Sequence, residues 1–225
     1  MWPFAKKEWF SCAQFDWIAR QVGVEFPGPK HYRFKSKLSK RAGSGRKKTH
    51  VDFDKRWFLS LSEQARCSVM VHEFWHWVIW KKTMSMRKRY IASIFVGLPL
   101  VSATIILALV GAVSLFAGVP FHLDFLVFAP VLWVVLLRAL LGRLMRRFFW
   151  PTEYDCDEAA VRYIGTQATL EVLKTFRLRL ENTTHPPVKL RIERVNEISP
   201  RYPTPLVDFE KLQAEIPQSF VLNNP

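Results

Sequence analysis

Residues 91 to 121 carry no charged side chain. A run that long and that apolar belongs in a protein interior or in a bilayer, and Ile91 to Val119 is long enough to span a bilayer with some tilt. Gly118-Val119-Pro120 reads as a turn. Phe121 to Leu141 is a second apolar stretch, with Asp124 and Arg138 near its ends and a Pro130 that membrane helices tolerate. The chain is therefore expected to carry a two-helix transmembrane hairpin. Lys81, Lys82, Arg87, Lys88 and Arg89 precede it, Arg138, Arg143, Arg146 and Arg147 close it, and the connecting turn has no Lys or Arg. By the positive-inside rule both outer ends lie in the cytoplasm, so the chain beyond residue 147 can return to the chain before residue 81.

The segment before the hairpin contains Val71-His72-Glu73-Phe74-Trp75-His76-Trp77, a His-Glu-x-x-His pattern. Residues four apart share a helix face, so His72 and His76 can aim two imidazoles at one metal ion. Glu73 lies about 100° round the helix from His72, which brings its carboxylate beside the position left open for water. Zinc takes a third protein ligand and keeps that fourth position. Glu73 is then suited to take a proton as the water attacks a peptide carbonyl. No Pro or Gly interrupts Leu61 to Trp80, and Ser60 and Glu63 have capping-box spacing. Ala65, Val69, His72, His76 and Ile79 lie along one face. The ordinary alternative is a core helix carrying two structural histidines.

After the hairpin comes Pro151-Thr152-Glu153-Tyr154-Asp155-Cys156-Asp157. Pro151 suits a helix start and Gly165 its end. Glu153 and Asp157 share a face. One carboxylate could ligate zinc while the other accepts the free N–H of a ligand histidine. The pair could equally be an acidic first turn complementing the helix dipole. His185 before Pro186 and Pro187 is held extended. Arg191 is one of several basic residues on a last helix, Val188 to Ile198.

The combination of these motifs resembles the HtpX-type and type I CAAX prenyl endopeptidase family of membrane zinc metalloproteases, over roughly residues 45 to 195. It rests on His72-Glu73-x-x-His76, on Glu153-x-x-x-Asp157 after a membrane hairpin, and on Thr184-His185-Pro186-Pro187 with Arg191 beyond. The resemblance implies a mainly α (α+β) zincin-like protease domain with a small edge sheet. It implies His72, His76 and Glu153 as ligands of one Zn2+ per chain, and Glu73 as general base. Asp157 looks like the carboxylate that orients a ligand histidine, His185 like the histidine that stabilises the oxyanion, and Arg191 like a structural arginine paired with an acidic group nearby. The chain departs from many relatives in carrying Trp75 where Gly is common and Cys156 where a small Ala is usual. It has no N-terminal membrane hairpin and no clear counterpart of the family's substrate-side Asn-Ala segment.

Five regions are expected. Residues 1–28 carry an amphipathic helix over 3 to 22, ended by Gly23 and the Phe26-Pro27-Gly28-Pro29 turn. Residues 29–90 form the first part of the protease domain, 91–142 the hairpin, 143–198 the second part of the domain, and 199–225 a Pro-containing tail with one short helix, Asp208 to Ile216. Tyr32 and Phe34, and Val51 and Phe53, alternate with polar residues as short strands, and an edge strand near the zinc helix could hold an extended substrate. Ala42-Gly43-Ser44-Gly45 reads as a flexible loop.

The formal net charge is +14, and residues 30 to 56 hold eleven Lys or Arg. Thin aromatic interleaving and the lack of a nucleic-acid fold signature argue against nucleic acid as the partner and for an anionic bilayer surface. Three cysteines without paired spacing read as reduced thiols. The expected protein is a multi-pass membrane zinc endopeptidase, its site at the cytoplasmic face, acting on protein or peptide substrates. The rival is a non-proteolytic zinc-binding membrane scaffold whose basic face binds lipid or a partner protein. A scaffold has no use for Glu73.

Overall fold

A computed structural model of the chain describes residues 7–25, 32–35, 42–44, 50–79, 123–176 and 185–223. It is mainly helical with a small mixed sheet, and it divides into two compact units, Met1–Lys81 with Phe149–Pro225, and Lys82–Phe148. The first apolar run Ile91 to Val119, its turn, Trp80, the basic residues Lys81 to Arg89 and the Phe26-Pro27-Gly28-Pro29 turn lie outside the described residues. Among the described residues no helix is long and apolar enough to cross a membrane.

The elements of the first unit start with strand β1 (Lys7–Ser11) and helix α1 (Ala13–Val22). Of the helix expected over 3 to 22, residues 13–22 are helical and residues 7–11 are a strand, while 3 to 6 lie outside the described residues. Phe10 is buried on that strand, opposite Tyr32 of its neighbour. Gly23 ends α1 in the left-handed region at φ 81°, where a residue without Cβ is unstrained.

Strands β2 (Tyr32–Lys35), β3 (Ala42–Ser44) and β4 (Val51–Asp54) come next. Tyr32, Phe34, Val51 and Phe53 are buried, as their alternation with polar residues requires. The strands β2 and β4 run parallel, with Tyr32 opposite Val51 and Phe34 opposite Phe53. Residues 42–44, whose composition suggests a loop, are instead an edge strand antiparallel to β4; pairing with Val51, Asp52 and Phe53 satisfies backbone groups a free loop would leave to water.

The short helix α2 (Lys55–Ser60) is capped by Asp54, whose side chain accepts from the Trp57 N–H at 3.0 Å. Helix α3 covers 63–79 and carries the His-Glu-x-x-His residues. Its cap is Ser62 rather than Ser60: the Ser62 hydroxyl accepts from the Ala65 N–H at 3.1 Å. Ser62 also donates through its backbone N–H and its hydroxyl to Glu171, at 2.8 and 2.7 Å. Ser60 is the last residue of α2, and its hydroxyl donates to the Trp57 carbonyl.

Helix α4 (Leu123–Ile164) runs unbroken through Pro130 and Pro151. No helix starts at Pro151, although proline lacks a donor and usually disfavours a helix interior. Gly165, at φ 116°, separates α4 from α5 (Thr166–Thr175); a Cβ there would meet Pro205 at 3.2 Å. Helix α6 (Val188–Ile198) has the bounds expected from the sequence.

The segment after Ser199 is no linker. A 3-10 turn (Ser199–Arg201) and helix α7 (Phe209–Glu215) lead to strand β5 (Val221–Asn223), which pairs antiparallel with β1 and gives the order β3-β4-β2-β1-β5. Val207 and Leu212 are buried in the main core. Phe220 packs against Phe10, Phe15, Phe34 and Phe58, with ring centroids 5.4 to 6.4 Å apart. The Gln14 amide, fully buried, donates to the Ile216 carbonyl, and its oxygen accepts from Gln218 at 2.8 Å.

A second apolar cluster joins Val161, Leu170, Leu173, Val188, Val195 and Ile198 of α4, α5 and α6. Trp77, suited by type to a membrane interface, is instead 8% exposed and stands by Phe74. Replacing Phe220 by Ala should lower stability by about 2–4 kcal/mol, measured as the unfolding midpoint in denaturant. An unchanged midpoint would return residues 199–223 to the status of a tail.

Candidate metal centre

The structure brings His72, Glu73, His76, Glu153, Asp157, His185 and Arg191 to one recess that opens to solvent. Helix α3 presents His72, Glu73 and His76, α4 presents Glu153 and Asp157, and α6 with the turn before it presents His185 and Arg191. Trp57, Val69, Val172, Leu173 and Phe176 give the recess apolar walls, and Ala42 of the edge strand β3 joins them.

Glu153 is the hub. Its Oε2 lies 3.6 Å from His72 Nε2, and its Oε1 lies 3.4 Å from His76 Nε2 and 3.6 Å from His185 Nε2. The Nη1 of Arg191 stands 3.5 Å from Oε2. Ligand atoms at the corners of a tetrahedron, 2.0–2.1 Å from a zinc at its centre, stand about 3.3–3.4 Å apart. The spacings around Glu153 are within a few tenths of an ångström of that. His72, His76 and Cys156 also form a group that could hold a metal ion, their ligand atoms all within 4.8 Å of one another.

Asp157 fixes the orientation of His72. Its Oδ1 is 3.0 Å from His72 Nδ1. With the proton on Nδ1, the ring donates to Asp157 and turns the Nε2 lone pair toward Glu153 and His76. Asp157 is itself gripped by Arg191, whose Nε donates to Oδ2 at 2.7 Å and Nη2 to Oδ1 at 2.6 Å. Arg191 and Asp157 are both buried.

These contacts set the protonation states. Burial would raise the Asp157 carboxyl, but the Arg191 guanidinium and the His72 hydrogen bond hold it below the usual range. Burial likewise opposes charge on Glu153, yet the nearby His72 ring and the Arg191 guanidinium keep it well below the usual carboxylate range. Burial pushes His76 down to about 3. Burial also works against charge on His72, but the hydrogen bond to Asp157 and the nearby Glu153 carboxylate outweigh it and raise the imidazole to about 9. Without metal, His72 therefore carries both ring protons, one on the Nδ1 that faces Asp157 and one on the Nε2 that stands 3.6 Å from Glu153.

Glu73 is buried, 7% exposed, and lines the same recess as both histidines. Trp75 does not crowd the site; it stands 6.3 Å from Tyr163 in the partly buried layer over the core. Cys156 joins the histidines although no metal-binding motif marks it in the sequence. Its spacing, three residues beyond Glu153 on α4, is the one signal that could have found it. It is fully buried, and burial pushes its thiol well up.

The chain matches no family model, no curated protein and no solved structure.

Arg191→Ala leaves the Asp157 charge buried without its partner and should cost about 3–5 kcal/mol of folding stability, read from chemical denaturation. Asp157→Asn should weaken metal binding about 10–100-fold; an unaltered affinity would separate Asp157 from the metal centre. A metal needs neutral His72, and below about pH 9 the free protein keeps that ring protonated. Affinity for a metal should therefore fall about tenfold per pH unit as pH drops from 9, with about one proton released from His72 per metal ion near neutral pH. Calorimetry in buffers of differing ionisation enthalpy counts that proton.

Proposed function

We propose that the chain is a membrane-anchored zinc-dependent endopeptidase whose site works at the cytoplasmic face. The observation that carries this reading is the convergence of His72 Nε2, His76 Nε2 and the Glu153 carboxylate at 3.4–3.6 Å, with the Glu73 carboxylate buried in the same recess. Two imidazoles and an ionised carboxylate are a donor set that zinc accepts. A structural pair of histidines would need neither the ionised Glu153 between them nor Glu73 beside them.

In this reading His72, His76 and Glu153 hold the ion. Zinc bound there supplies Lewis acidity, which makes a water easier to ionise and a carbonyl easier to attack. The residues do the rest. Asp157 keeps His72 in the tautomer that offers Nε2, and Arg191 keeps Asp157 in place. Glu73 takes the proton from the attacking water and passes it to the departing amine. His185 donates from its ring N–H to the oxygen that becomes negative as the carbonyl turns tetrahedral. An extended peptide adds beside the edge strand β3, and an apolar side chain fits among Val69, Val172, Leu173 and Phe176.

Membrane anchorage rests on the sequence of residues 91 to 141 and on the basic residues around them. The substrates would then be segments of membrane or membrane-associated proteins. The expected test outcome is zinc-dependent cleavage of an unfolded protein such as casein by the detergent-purified chain, abolished by chelator. Glu73→Gln should keep zinc and lose turnover by at least about a hundredfold. Glu153→Ala should lose zinc affinity. Zinc bound at full affinity with no cleavage of any tested protein would instead favour the scaffold reading.

A further inference from the structure

Cys156 lies on α4, one residue before the carboxylate that orients His72 and three beyond the hub carboxylate Glu153. Its thiol and the ligand nitrogens of His72 and His76 all lie within 4.8 Å of one another. It is fully buried and takes part in no disulfide. Cys12 and Cys67 are also buried free thiols, but Cys67 donates to Gln14 at 3.2 Å, away from this cluster, whereas Cys156 is the thiol grouped with the two histidines. In a zinc tetrahedron with Zn–S near 2.3 Å and Zn–N near 2.0–2.1 Å, sulfur and nitrogen stand about 3.6 Å apart. The present spacing is therefore at most about 1.2 Å wider than a zinc tetrahedron sets.

We propose that Cys156 is itself a ligand of the metal held by His72 and His76, supplying a thiolate as the fourth protein donor beside Glu153. This deepens the metal-centre reading and rests on a metal being bound there. On coordination the thiol gives up its proton to solvent, so that about two protons rather than the one from His72 leave per metal ion near neutral pH, and no electron is transferred. The donor chemistry has three consequences. Sulfur biases the site toward zinc and cobalt over magnesium and manganese. Four protein donors fill the tetrahedron at rest. A water can then enter only when the thiolate leaves or the metal takes a fifth ligand.

The test is the absorption spectrum of the full chain loaded with cobalt(II), wild type beside Cys156→Ala and Cys156→Ser. The wild type should show an intense sulfur-to-cobalt charge-transfer band in the near ultraviolet together with the visible bands of a tetrahedral site. Both variants should lose the ultraviolet band and keep the visible ones, and their zinc affinity should fall about tenfold or more. Two variants of different polarity guard against a substitution that merely fails to fold, which circular dichroism reveals. Visible bands without the ultraviolet band in the wild type would overturn the thiolate and leave the His72–His76–Glu153 centre standing. An ultraviolet band that persists in both folded variants would belong to Cys12 or Cys67 and would overturn it equally. Failure to bind cobalt or zinc at all would overturn both the thiolate and the metal centre.

Discussion

The pair between Asp157 and Arg191 is the interaction on which the rest of the site depends. Two charges with 2% and 7% exposure would be costly apart. Together they make a two-pronged bond that joins α4 to α6, and the same carboxylate reaches across to His72 on α3. Three helices distant in the chain are thus fixed by one carboxylate. The apolar clusters on either side supply most of the burial, but apolar contact has no direction. The ion pair sets the angle at which each helix offers its polar groups.

Glu153 shows the same economy. It is one turn before Asp157 on α4, so a helix that seats one carboxylate on Arg191 must seat the other among the histidines. A neutral residue at 157 would leave the geometry of 153 unanchored, and His72 free to turn its ring.

Much of this is legible in the chain. The spacing of His72 and His76, the i,i+4 placement of Glu153 and Asp157, the alternation in β2 and β4, and the bounds of α6 all reflect periods that the backbone enforces. Other features are hidden for physical reasons. Ser60 and Ser62 compete as caps, and only the tertiary partner Glu171 decides between them. Pro151 normally marks a helix start, yet α4 continues through it. Ala42 to Ser44 has weak strand propensity and becomes a strand because β4 offers a free edge. Residues after Ser199 are rich in proline, and their burial depends on a ring, Phe220, whose aromatic partners Phe10, Phe15, Phe34 and Phe58 all come from the first quarter or so of the chain. His185 and Arg191 carry no local signal that sets them apart from their neighbours; only their meeting at Glu153 and Asp157 does so.

The sheet joins residues 221–223 to residues 9–11, and Gln14 reaches Ile216 and Gln218. Contacts so far apart along the chain are slow to form and cannot form before both partners exist. During synthesis, strand β1 waits on the ribosome with one edge open until the segment bearing β5 has emerged. Helix α3, whose Val69, Met70, Val71 and Phe74 belong to the core under that sheet, is therefore locked in place only after the chain has been made nearly to residue 223. The face bearing His72, Glu73 and His76 thus becomes rigid late, when the last strand has closed the sheet.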